Sequence, residues 1–246
     1  MKVSREQKEK TRRLIVDTAI DMFVEKGIDK ATMKGIARKA GIGDATIYKY
    51  FPSKEKLILG YYKLKADDTL AELWEEEIDE YSLREKLQLL VDIYLQQLLP
   101  DREFVASSAK YILTSQSFMW QEVAPIRQEF APIINRFLDE AEFDQEIPAF
   151  PFRGALVGLM NEFLIGVLLY WIKDDSEEFS NTTQMVDMSL NLGVNILQSG
   201  IANQLMDFVG FFVKRHLFQF IQNGGHMFRG FADKMNSMEA ENTWEK

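Results

Sequence analysis

The sequence predicts an all-α protein in which a small three-helix N-terminal unit is joined by a long helix to a larger helical body. Three observations carry that expectation. Residues 32–54, TMKGIARKAGIGDATIYKYFPSK, read as two short helices around a tight glycine turn. From there to Gly200, apolar residues recur at helical spacing between Ser, Asp and Pro punctuation. Charge is also divided along the chain: residues 1–65 hold 16 Lys/Arg and 8 Asp/Glu, net +8, whereas residues 66–246 hold 13 and 30, net −17. A basic module on an acidic body can approach a polyanion, because the acidic surface is screened beyond about 10 Å at 0.1 M salt. With 246 residues, 46% of them apolar, the chain is long enough for one small and one larger domain.

Residues 2–13 form a basic arm running into the first helix, with Lys8, Lys10, Arg12 and Arg13 close together. The arm is either a solvated helix end or a phosphate-contacting one. From Leu14 onward, Ile15, Ala19, Met22 and Phe23 share one helical face, and Gly27 closes that helix. Thr32 is placed to N-cap the next, whose apolar face is Ile36, Ala37 and Ala40. The turn Gly41-Ile42-Gly43 follows, with Gly41 suited to the left-handed conformation that ends a helix. Residues 44–50 form the second helix of the pair, with Ile47 inward and Pro52 as its stop.

Ser53 opens a fourth, long helix, since Leu57, Ile58, Tyr61, Leu70, Leu73, Trp74 and Ile78 keep helical spacing, and the acids of residues 67–80 are its solvated face. Ser82 and Glu85 make a capping box for a fifth helix that runs to Pro100. Asp101 caps a sixth, to about Ser115, and Pro125 and Pro132 punctuate a seventh segment, residues 120–143. After the loop at Pro148 and Pro151 come two apolar helices, residues 152–173 and 181–199, the latter with Met185, Met188, Leu192 and Ile196 expected inside. Both are expected to be buried helices and not membrane spans, because Asn161 and Glu162 interrupt the first. Gly154, Gly158, Glu162, Gly166 and Tyr170 lie at i+4 intervals on that helix. Such a stripe fits close approach of a partner helix, or room for a ligand with Glu162 and Tyr170 as the pocket candidates.

The runs AxxMFVEKGIDKATMKGIARKAGIG and DATIYKYFPSKEKLI follow one another without a gap across residues 19–58. Tyr48, the Tyr50-Phe51-Pro52 run and the Ser53-Lys54-Glu55 helix start are not demanded by generic packing. Over about residues 13–59 the chain resembles the TetR family of bacterial transcriptional regulators. The resemblance implies a helix-turn-helix DNA-binding domain over 1–52 and a helical regulatory, ligand-binding and dimerisation domain over 53–200. It implies that Lys34, Asp44, Ala45 and Thr46 face base edges while Thr32, Tyr48, Tyr50 and Lys54 face phosphates. It also implies a homodimer on a pseudo-palindromic double-stranded DNA operator, repression relieved by a small apolar or amphipathic effector, and a four-helix interface from residues 152–173 and 181–199 of both subunits. The alternative is a constitutive architectural DNA-binding protein that takes no small molecule.

Residues 201–246 depart from the family pattern and hold seven of the 18 Phe. Leu205, Phe208, Phe212 and Phe220 suggest a helix to about Gln222, followed by Gly224-Gly225 and a polar tail. With five Lys/Arg and five Asp/Glu this extension has no net attraction to anionic lipid, so it is expected to pack on protein and no membrane partner is expected. The absence of cysteine excludes disulfides and thiolate metal sites and fits a cytoplasmic location, as does a charged and not apolar N-terminus. An enzyme is not expected: there is no phosphate-cradling Gly loop and no metal-ligand spacing, His216 and His226 standing ten apart. Neither a metal nor a cofactor is called for.

Overall fold

The computed structural model describes residues 4–114, 128–205, 207–209 and 211. Among these the chain forms α1 (Arg5–Lys26), α2 (Met33–Lys39), α3 (Asp44–Tyr50), α4 (Lys54–Leu73), α5 (Leu83–Leu98), α6 (Arg102–Thr114), α7 (Ala131–Phe143), α8 (Arg153–Trp171) and α9 (Ser180–Gln198), with short 3-10 turns at Leu99–Asp101 and Glu177–Phe179. No strand occurs among the described residues. The chain divides into two compact units, Met1–Asn195 and Ile196–Lys246.

Within the first unit, α1 starts where Ser4 accepts from the Gln7 amide, and buries Ile15, Ala19, Met22 and Phe23 as its spacing predicts. The stacked rings of Phe23 and Phe104, 5.7 Å apart, join α1 to α6, and Tyr61 of α4 meets Phe104 edge-on at 4.8 Å. A two-pronged ion pair, Arg13 to Asp68 at 2.7 and 2.9 Å, fixes α1 along α4. At the base of α6, Asp101 does not simply begin a helix: its carboxylate pairs with Lys65 at 3.0 Å and accepts from the Tyr61 hydroxyl at 3.3 Å. Tyr62 and Ser108 share a buried hydroxyl hydrogen bond of 2.8 Å, and Tyr111 donates to Glu55 at 3.0 Å. Helix α6 is thus tied to α4 at Phe104, Ser108 and Tyr111, with Asp101 adding a tie just before it, and to α1 through Phe104.

The capping box of α5 is present in full, with the Glu85 carboxylate accepting from the Ser82 amide at 2.9 Å and Ser82 accepting from the Glu85 amide at 3.3 Å. Helix α4 is shorter than its periodicity suggests. It ends at Leu73, Trp74 is 61% exposed with Arg136 over its ring at 4.5 Å, and Ile78 reaches the core from a turn. The acids Glu75, Glu76 and Glu77 oppose the negative end of the helix dipole there, which disfavours continuation.

The two apolar helices are covered on one side only. In α9 the inward ladder is Thr182, Val186, Leu190 and Val194. The set expected inside is turned outward instead: Met188 is 62%, Leu192 63% and Ile196 39% exposed, with Met185 half-buried. Both faces of the helix are apolar, so helical period alone does not say which one meets the rest of the chain. Helix α8 is similar: Val157, Met160, Leu164, Val167 and Trp171 are buried, while Leu159 is exposed. It is the one described helix long and apolar enough to cross a membrane, and 28% of its most apolar window is buried.

In the second unit, residues 201–205, 207–209 and 211 are helical, and Ile201, Leu205, Phe208 and Phe211 are exposed. The expectations for Phe212, His216, Phe220, Gln222, Gly224, Gly225 and His226 lie outside the described residues, as do those for Ser115, Trp120 and Pro125.

Candidate nucleic-acid interface

The α2–turn–α3 unit is built by local hydrogen bonding on a buried floor. Thr32 opens α2, its hydroxyl oxygen accepting from the Gly35 amide at 3.1 Å. At the far end Gly41 takes φ +68°, its amide donates to Arg38 O at 3.2 Å and the Ile42 amide to Ala37 O at 3.0 Å. This paired bonding satisfies two terminal carbonyls and reverses the chain within the turn. Gly43 then caps α3, with the Thr46 amide donating to its carbonyl at 2.7 Å. Ile36, Ala37 and Ile47 are fully buried at the crossing of the two helices. That burial forces the remaining face of α3 outward.

The outward face carries the residues that the sequence singles out. Asp44 and Ala45 are exposed and Thr46 is half-buried on α3, and Lys34 is exposed on α2. Asp44 stands in the first turn of α3, where a carboxylate is favoured by the helix dipole. Tyr48 is exposed and Tyr50 half-buried on α3, and Thr32, just before α2, is exposed. Lys49 is also exposed on α3, and the sequence does not mark it, because a lone charge on a helix reads as a solvated face. Lys54 has a different setting. Its ammonium donates to the carbonyls of Ile28 at 2.5 Å and Asp29 at 3.2 Å, clamping the loop after α1 to the start of α4. An outside phosphate would have to take its third N–H.

Burial opposes ionisation of Glu55, but its own backbone amide and the hydroxyls of Ser53 and Tyr111 more than offset it and hold its carboxyl below the usual range. Burial raises the Asp17 carboxyl, against the pull of Lys65. Farther off, Arg102 donates to Trp171 O at 2.9 Å and Asp174 O at 2.7 Å and lies over the rings of Trp171 and Phe179. Arg102 therefore ties the start of α6 to the end of α8. Asp174 accepts from the hydroxyls of Ser176 at 2.6 Å and Thr182 at 2.5 Å and from both backbone amides, which drives its carboxyl well below the ordinary value.

Glu162 and Tyr170 lie on the outer side of α8, in the same exposed stripe as Gly154, Gly158 and Gly166. A methyl group built on any of those glycines would touch nothing within 4 Å. Neither residue lines the two described cavities. One, of about 140 Å³, lies between α5, the end of α8 and the start of α9, against Leu95, Leu99, Trp171, Phe179 and Val186. The other, of about 430 Å³, is a groove between α1 and α6 edged by Asp21, Glu25, Asp101 and Glu103.

A capped helix pair on a buried floor, with an exposed second helix and a basic N-terminal segment, defines a helix-turn-helix DNA-binding protein. Residues 15–61 match the bacterial regulatory proteins of the tetR family, and residues 86–212 match the tetracyclin repressor-like C-terminal domain. The chain belongs to the TetR family of bacterial transcriptional regulators. The "Fatty acid metabolism regulator protein" of Bacillus subtilis is 25% identical over 194 residues, 77% of this chain and 95% of the relative. Among solved structures, a TetR-family regulator from Syntrophomonas wolfei superposes with a TM-score of 0.63 at 15% identity, over 76% of this chain and 96% of that one. The B. subtilis regulator FadR in complex with stearoyl-CoA superposes with a TM-score of 0.58 at 21% identity, over 76% and 98%. The relatives are transcriptional regulators, a class that is not enzymatic.

Proposed function

We propose that this chain is a cytoplasmic, ligand-responsive repressor that binds a pseudo-palindromic operator as a homodimer and leaves it when an amphipathic effector occupies the body. The observation that carries the reading is the outward face of α3: Asp44, Ala45 and Thr46 are presented to solvent on a helix whose opposite side is locked by fully buried Ile47. Lys34, Asp44, Ala45 and Thr46 read base edges, and Thr32, Tyr48 and Tyr50 meet phosphates, with Lys54 adding a third-donor contact. One helix of seven residues spans few base pairs, so specificity requires two heads in successive major grooves, about 34 Å apart or a multiple.

Pairing is supported by apolar residues left exposed on both helices, Leu159 on α8 and Met188 and Leu192 on α9, and by the unfilled glycine stripe of α8. In this arrangement Glu162 and Tyr170 belong to the subunit contact or to a ligand site at its edge. The similarity to a regulator solved with stearoyl-CoA makes long-chain acyl-CoA thioesters the first effector class to try. Selection from random duplex DNA is the test. An inverted repeat, released in a saturable way by an acyl-CoA or by a ligand that co-purifies with the protein, is expected. A protein that selects a site but holds it against every such ligand would be the constitutive architectural binder instead.

A further inference from the structure

Between α3 and α4 the chain has three residues, and the first of them, Phe51, is almost wholly buried. Its amide donates to Ile47 O at 2.8 Å, so the ring is fastened to the end of α3. One edge of the ring points at the Gly60 backbone on α4, with Cε1 foremost. A Cβ added at Gly60 would fall inside the van der Waals envelope of Phe51 Cε1, with Cζ at 3.1 Å and Cδ1 at 3.3 Å. From the other side the Arg12 guanidinium of α1 covers the same ring, 5.0 Å from its centroid.

We infer that Gly60 is a positioning residue for base readout: its missing side chain is the seat that lets Phe51 fix the tilt of α3 against α4 and α1. The inference rests on the DNA-binding role proposed above. A ring pushed from its seat has little room to turn aside, because it is buried and covered by Arg12. The displacement passes to α3. Hydrogen bonds to base edges tolerate little error, since they weaken quickly beyond about 3.2 Å. Phosphate attraction is long-ranged and forgiving. A seat of this kind therefore serves sequence discrimination more than binding as such.

The test uses the full chain, an operator selected from random duplexes by the unmodified protein, and a random duplex as control. Gly60→Ala is expected to lose about tenfold or more in operator affinity while random-duplex affinity stays within about twofold. Alanine is the better helix former, so poor helix propensity would not explain that loss. Adding Phe51→Leu, which removes the crowding ring atoms, is expected to return operator affinity to within about threefold of the unmodified protein. Unchanged operator binding by Gly60→Ala, or equal loss on both duplexes, would overturn the inference. If Gly60→Ala alone does not fold, the comparison moves to the double variant and Phe51→Leu: a double variant that binds operator no worse supports the seat, and one that binds worse overturns it. Failure of the unmodified protein to select any operator would sink the DNA-binding reading itself.

Discussion

Asp44 and Lys54 show how much a residue's role depends on what else its side chain holds. Asp44 is exposed at the start of α3, and a carboxylate there repels phosphate. It can accept from a cytosine amino group or orient Lys34. Asp44→Ala is therefore expected to change the bases chosen in operator selection while leaving the salt dependence as it was, and an unchanged preference would remove Asp44 from readout. Lys54 is clamped to Ile28 O and Asp29 O. Lys54→Ala should lower thermal stability through loss of a charge-assisted bond, by about 1.5–3 kcal/mol. It should also flatten the log–log salt slope of DNA binding by about one if the third N–H reaches a phosphate. A fall in melting temperature with an unaltered slope would make Lys54 a structural clamp alone.

At the scale of elements, the turn and the caps decide whether the pieces meet. Gly41 at φ +68° makes the reversal between α2 and α3. Gly41→Ala should cost about 1–2 kcal/mol, the penalty of a Cβ in the left-handed region, visible as a lower denaturant midpoint with an unchanged slope. The segment between α8 and α9 is organised by Asp174, whose folded-state carboxyl lies below its usual value because two hydroxyls and two amides donate to it. A depressed folded pKa gives stability that is complete above the unfolded value near 3.8 and lost as pH falls through the folded one. Asp174→Asn is expected to melt earlier at neutral pH and to show less further loss below about pH 4 than the unmodified chain. Parallel melting curves down to acid pH would rule out that linkage.

For the whole molecule, the exposed apolar residues of α8 and α9 call for a partner. Leu192→Glu places a charge at the middle of the proposed interface and is expected to yield monomers by light scattering, with operator affinity falling while the isolated head fold persists. A dimer of undiminished strength would move the interface elsewhere. Ligand and operator should also antagonise each other reciprocally, since coupling is a shared free energy of typically about 1–3 kcal/mol. Titration of an acyl-CoA with and without operator DNA measures it. Equal affinities would mean that the ligand is not an inducer. The stack of Phe23 on Phe104 and the Arg13–Asp68 ion pair are described physical links from body to head.

The sequence by itself determined the parts whose signals are local. Thr32, Gly41, Ser82 with Glu85, and the inward spacing of Ile15, Ala19, Phe23, Ile36 and Ile47 each specify a cap, a turn or a face within a few residues, and all are found in place. The family followed from the same stretch because Tyr48, Phe51 and Lys54 exceed what packing needs. Tertiary structure decided the rest. It turned Met188, Leu192 and Ile196 outward, set Glu162 and Tyr170 on an open face, and spent the Lys54 ammonium on two carbonyls. Each of these depends on a neighbour distant in the chain, or on the lack of one. Helical period records that a face is apolar, but only the packed molecule says what covers it.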